Sequence, residues 1–162
     1  MDPAAPDGSE QQDSGQALAE LQRVMDTALT HLSLGALLPE LLQRIRDVMH
    51  ADSAAILLDE HGTLHQRAAV GLEEGDEHDG TPFDIRIVTA VTPLTADEDD
   101  VDPLLHERGL RSVIGVPLQM EGGVLGVLRV GTVAPRSFSD LHRELLQFAA
   151  HRASRAIRHA HL

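Results

Sequence analysis

Arg86 and Arg111 are the side chains of this sequence best suited to chemistry on a small anion, because each guanidinium is a planar fork that matches a carboxylate or phosphate in bidentate fashion. Around them Phe83, Thr89, Ser112 and Val113 supply apolar wall and a few hydrogen-bonding groups, the mixture a small-molecule pocket needs. These six residues are the candidate ligand-binding set. A competing reading keeps both arginines structural, paired with Asp84 or with the acids between Asp97 and Asp102.

Other chemistries are excluded by residue type. The chain has no cysteine, which removes disulfides, thiolate metal sites and a thiol nucleophile. A Gly-x-Ser-x-Gly elbow is absent, so no serine triad is supported, and no catalytic residue and no enzymatic activity are expected. The run Asp97-Glu98-Asp99-Asp100-Val101-Asp102 lacks the central glycine and distant glutamate of a calcium loop, so a solvated loop and no metal site are expected. His78 and His106 stand in loops where an imidazole could ligate a haem. The polar neighbours of His106 in Leu104-Leu105-His106-Glu107-Arg108 place it on the exposed side of a short helix, where water is the expected partner. The identity of any cofactor stays open.

All 13 cations are arginines against 26 acids, and the formal net charge of −13 argues against a nucleic-acid partner, which requires clustered positive charge. Arginine without lysine fits a GC-rich bacterial genome. No apolar run approaches the roughly 20 residues that cross a bilayer, and the N-terminus is acidic and polar, so no membrane partner and a cytoplasmic location are expected. A length of 162 residues with 42% hydrophobic content suits one domain with tails.

Residues 1–14 combine Pro, Gly, Ser, Gln and acids without an apolar anchor and are expected to be disordered. An N-terminal helix is expected over residues 15–33, where Leu18, Leu21, Met25, Ala28 and Leu32 alternate spacings of three and four. That seam suits either a coiled coil across a homodimer or packing on the chain's own domain. The domain proper is placed at residues 34–162. Its first helix, Leu37 to His50, carries one apolar stripe and begins just before Pro39, which is tolerated in a first turn.

Two hairpins follow. Ser53 to Asp59 turns through Gly62 into Thr63 to Val70, and the apolar runs Ser112 to Leu118 and Val124 to Val130 flank the turn Glu121-Gly122-Gly123. Glu73 to Gly80 reads as a short acidic connection to the next helix. The last helix starts at an N-cap Ser139 and repeats Leu141, Leu145, Phe148, Ala149, Ala153 and Ile157 at helical spacing. With Leu18, Leu21, Met25 and Leu32, Leu145 and Phe148 form the expected dimer interface.

The sequence GLRSVIGVPL, from Gly109 to Leu118, followed by a glycine turn and GVLGVL, resembles the GAF family of sensor domains. Ala51 to Leu58 as first strand and Ala68 to Leu72 closing the second fall in the family's order, and the likeness runs from about Leu37 to the end. It implies an α+β fold: an antiparallel sheet with terminal helices on one face and a ligand pocket under loops and short helices on the other. Phe83 to Leu94 then corresponds to the pocket-facing helix, although its Ile, Val and Thr content favours strand. Ile85 and Val91 stand where the family often has glycine, which implies either a narrower pocket or a locally strand-like backbone.

The resemblance further implies a regulatory role, in which a small molecule of unknown identity biases the terminal helices. These signal to an effector, a kinase or phosphatase, in cis or in trans. Cyclic nucleotides fit poorly, since the family's signature for them uses Asn and Lys and the chain has neither. Covalent bilins and the family's methionine sulfoxide reduction both need cysteine. A dimerisation or protein-interaction module without ligand remains the alternative, with a haem-based redox or gas sensor behind it.

Overall fold

Side-chain alternation along the central strands builds two separate apolar layers on one sheet. The computed structural model describes residues 15–23, 33–73 and 78–160. Its strands are β1 (Ser53–Glu60), β2 (Thr63–Gly71), β3 (Leu94–Asp97), β4 (Ser112–Met120) and β5 (Gly123–Thr132). They form a five-stranded sheet in the order β2-β1-β5-β4-β3, antiparallel throughout. Ala54, Ile56, Ile114, Val116, Leu128 and Val130 point to one face, and Ala55, Leu57, Val113 and Val127 to the other.

The first face is covered by helices. The helical residues 15–23 (α1), α2 (Leu34–Met49) and α5 (Asp140–Ala160) pack there around Leu42, Ile45, Leu146 and Ala149, all but excluded from water. The second face carries α3 (Pro82–Ala90) and α4 (Pro103–Glu107). Their Phe83, Ile87 and Leu105 close the smaller cluster with Leu110 and Val101. This is the α+β arrangement expected, and no described helix is long and apolar enough to cross a membrane.

Helix α2 begins a turn earlier than the sequence suggests, at Leu34, so Pro39 lies inside it. The apolar stripe of Leu37, Leu38, Leu41 and Leu42 is buried across that turn, and its burial outweighs one missing backbone bond. On α1, Leu21 is 2% exposed and Leu18 packs against the same cluster, as do Leu145 and Phe148 of α5. The inward seam of these helices therefore lies against the chain's own core. Met25, Leu32 and the tail 1–14 lie outside the described residues.

Ser139 opens α5 as expected: its carbonyl accepts from the amide of Arg143 at 3.1 Å and its Oγ from the amide of His142 at 3.3 Å. The imidazole of His142 meets the amide of Ser139 through Nδ1 at 3.0 Å and Arg136 Nη2 through Nε2 at 2.9 Å. Arg136 in turn donates from Nη1 to the carbonyls of Met49 and His50, tying the end of α2 to the start of α5. Burial, and then the charge of Arg136, lower the pKa of His142 below its ordinary 6.5. The unfolded chain thus takes up the proton first, and stability should decline as pH falls below about 6.5. Thermal midpoints across that range should show the decline, and His142→Gln should flatten it.

Candidate functional site

The inner face becomes a site through α3 and one buried cation. Pro82 starts α3, and Asp84 completes a capping box with Thr81, accepting from its amide at 2.9 Å and its hydroxyl at 3.2 Å. That local device sets the helix despite the strand preference of Ile85, Ile87 and Val88. Phe83, Asp84 and Ile87 point inward, while Ile85, Arg86 and Thr89 face outward. Val91 ends the helix in the left-handed region at φ 50°, costly for a β-branched residue.

Gly115 sets how closely α3 approaches the sheet. A Cβ there would lie 2.5 Å from Ile87 Cδ1 and 3.1 Å from Phe83 Cε1, so both side chains occupy the space a larger residue would take.

At the centre of β5, Arg129 also points into this layer and is 0% exposed. Ala55 and Gly115 are its partners in register on the two neighbouring strands, and their small size leaves room for the guanidinium. Its Nη1 donates to Asp84 Oδ2 and its Nη2 to Glu73 Oε1. Glu73, 1% exposed, also accepts from Arg108 Nη1 at 2.9 Å and from Ser53 Oγ at 2.5 Å. Two cations thus face two carboxylates in a water-excluded layer. Two buried polar atoms of this group, Arg129 Nε and Asp84 Oδ1, have no hydrogen-bond partner among the described residues.

Burial pushes the Glu73 carboxyl upward, but the charge of Arg129, the Ser53 hydrogen bond and Arg108 outweigh it and hold the pKa below the ordinary 4.5. The pKa of Arg129 stands above its ordinary value, since Asp84 and Glu73 outweigh its desolvation. A carboxyl depressed on folding stabilises the fold above its unfolded pKa, and that part is lost as pH falls through the folded one. Acid unfolding followed by circular dichroism should therefore steepen below about pH 4.5, and Glu73→Gln should remove part of that slope.

A cleft of about 320 Å³ lies on the outer side of α3, lined by Asp59, Gly62, Thr63, Leu64, Gly80, Ile85, Val88 and Thr89.

Phe83 and Val113 meet in the inner apolar cluster. Ser112 is buried at the head of β4, where its Oγ accepts from the amide of Arg136 at 2.8 Å. Thr89 lines the outer cleft, and Arg86 is exposed on the same side of α3. Arg111 is exposed, 3.8 Å from Glu98, the pairing with the acidic run that the competing reading foresaw. Asp84 pairs with Arg129 rather than with Arg86 or Arg111. His106 is exposed on α4 and His78 is half-buried.

Sequence reasoning missed Arg129, Glu73, Arg108 and Ser53. The signal available for Arg129 was a lone charge inside the apolar strand GVLGVLRVG.

The family model of the GAF domain matches residues 33–157. Among solved structures, the chain is similar to the GAF domain of a phosphoenolpyruvate-protein phosphotransferase from Coxiella burnetii, with TM-score 0.77, 18% identity and coverage of 93% of this chain and 95% of that one. The phycoerythrobilin-bound GAF domain from a cyanobacterial phytochrome aligns with TM-score 0.71 and 15% identity over 91% and 96% of the two chains. A type II free methionine-R-sulfoxide reductase from Thermoplasma acidophilum aligns with TM-score 0.67 and 18% identity over 78% and 93%. Likeness at these identities establishes the shared fold. No curated protein matches the sequence.

Proposed function

The chain belongs to the GAF domain family, and from that membership we propose that it is a non-catalytic regulatory domain that takes a small molecule beneath α3. The observation that carries this reading is the charged group of Arg129, Glu73, Asp84 and Arg108, buried under α3 against an apolar sheet face. Buried ion pairs contribute little net stability compared with apolar packing of the same volume, so recognition is the better account of their presence. Phe83 and Val113 form the apolar wall in this reading, Thr89 flanks the outer cleft with Arg86 exposed on the same side of α3, and Arg111 and Ser112, engaged by Glu98 and by the amide of Arg136, lie outside this layer. Thiolate-dependent reduction is closed to a chain without cysteine.

A ligand acts by favouring one arrangement of α3 over another. The layer of α1, α2 and α5 on the opposite face relays the change to an effector, a kinase or phosphatase joined to the domain or bound to it. A homodimer formed through Leu18, Leu21, Met25, Leu32, Leu145 and Phe148 would require these helices to repack, because Leu21 and Leu145 are already buried in the chain. A cytoplasmic location belongs to the same reading.

One observation favours a second reading, a ligand-free interaction module: Ile87 and Phe83 already fill the space above Gly115. Native mass spectrometry and an absorption spectrum of gently purified protein separate the two. The chain has no Trp, Tyr or Cys, so a strong band beyond those of phenylalanine belongs to a bound molecule. Added mass or an absorption band, or a rise in thermal midpoint with any of a panel of metabolites, supports the regulatory reading. A bare mass with no rise across the panel favours the interaction module.

A further inference from the structure

We propose that Glu73 is a built-in occupant of a carboxylate site, and that the ligand of this domain is a small free carboxylate that takes its place. The proposal rests on the reading of the space beneath α3 as a ligand site and names the chemistry that site recognises. Three donors converge on the Glu73 carboxylate, and they come from three separate places in the fold. Ser53 opens β1, Arg108 follows α4, and Arg129 sits mid-strand in β5. All three are positioned by elements that do not depend on the segment delivering the carboxylate.

Glu73 stands two residues beyond the end of β2 at Gly71, and Leu72 reaches the sheet through one backbone bond, its amide donating to the carbonyl of Asp52 at 3.1 Å. A carboxylate buried to 1% exposure on the end of a strand connection fills the cradle as a tethered ligand would.

The geometry of Arg129 points the same way. Its two Nη atoms serve two different carboxylates, and Nε has no partner among the described residues. The Nη2–Nε edge of the guanidinium is therefore half used. A free carboxylate set squarely on that edge takes both donors, a bidentate arrangement stronger than the single bond that Glu73 makes to Arg129. The exchange swaps one negative charge for another, so the buried cations stay balanced and no charge is left unpaired. Because Glu73 is tethered, it competes at an effective concentration in the millimolar range or above, which tunes the site to an abundant acid. The packed walls of Phe83 and Ile87 limit the ligand to a few carbon atoms.

The test is to empty the cradle and refill it. Glu73→Ala should melt lower than the parent in sodium chloride. In sodium formate or acetate at equal ionic strength its midpoint should rise saturably by about 3 °C or more, while the parent, with Glu73 competing, moves less. Equal midpoints of Glu73→Ala in chloride and carboxylate overturn the proposal, as does a rise with inorganic phosphate and none with formate or acetate.

Should Glu73→Ala fail to fold, nitrogen-15 resonances of the arginine side chains in the parent decide. Formate should shift the Arg129 Nε–H signal saturably, and an unmoved signal overturns the proposal. The broader regulatory reading fails separately. A parent stabilised by a neutral metabolite, with Glu73→Ala indifferent to carboxylates, sinks the carboxylate assignment and leaves that reading standing.

Discussion

Replacing Arg129 by leucine is expected to cost about 3–5 kcal/mol of folding stability, the usual result of removing one partner from a buried ion pair. The loss comes from what is left behind. Asp84 is fully buried and retains only its cap contacts with Thr81, while Glu73 keeps Ser53 and Arg108. Against a total of about 5–15 kcal/mol for a domain of this size, such a loss unfolds a large fraction of molecules on mild heating. Urea unfolding followed by far-ultraviolet circular dichroism measures it. Adding Glu73→Gln and Asp84→Asn should return part of the loss, because the neutral side chains no longer strand charge. A loss below about 1 kcal/mol for the single substitution would mean that water reaches the carboxylates and that the layer is not sealed.

Phe83→Ala is expected to cost a similar amount, about 3–5 kcal/mol, by removing the largest apolar side chain between α3 and the sheet. The neighbourhood cannot collapse to fill the space, since α3 is pinned at its start by the Thr81–Asp84 box and by Asp102 Oδ2, which accepts from the amide of Phe83 at 3.1 Å. Denaturant melts of the variant should show the loss. A small apolar probe such as benzene should restore part of it, as it does in other dry cavities lined by aliphatic groups. Failure of benzene to stabilise the variant would show that α3 settles onto the sheet when Phe83 is gone.

Much of the fold was legible because it is written in local periodicity. The hairpin of β4 and β5 alternates inward and outward residues around a glycine turn, and α2 and α5 repeat apolar residues at helical spacing. Helix α3 was harder, since Ile85, Ile87 and Val88 favour strand, yet Thr81-Pro82 with Asp84 is a helix start. Pro39 misled by one turn because the buried stripe outranks the punctuation it usually marks.

The site was less legible, and for a physical reason. Arg86 and Arg111 were chosen as cations near loops, but helix phase sends Arg86 outward when Phe83 and Ile87 face in. Glu73 reads as one more acid in a polar run, and its partners Ser53, Arg108 and Arg129, at 20, 35 and 56 residues of sequence, explain its burial. Non-local charge pairing leaves no periodic trace; the one visible mark was an arginine in an otherwise apolar strand.

The strand order β2-β1-β5-β4-β3 leaves two unpaired rims, and both are guarded against recruiting a neighbour's backbone. Along β2, the chain covers its own edge: Gln66 donates to the carbonyl of His78 at 3.0 Å, and Gly80 to that of Leu64 at 2.8 Å. At the other rim β3 has only four residues and runs straight into Glu98–Asp100, whose negative charge repels an incoming strand from an equally acidic copy. Self-association by sheet extension, the common route to runaway aggregates, is thereby disfavoured at both rims.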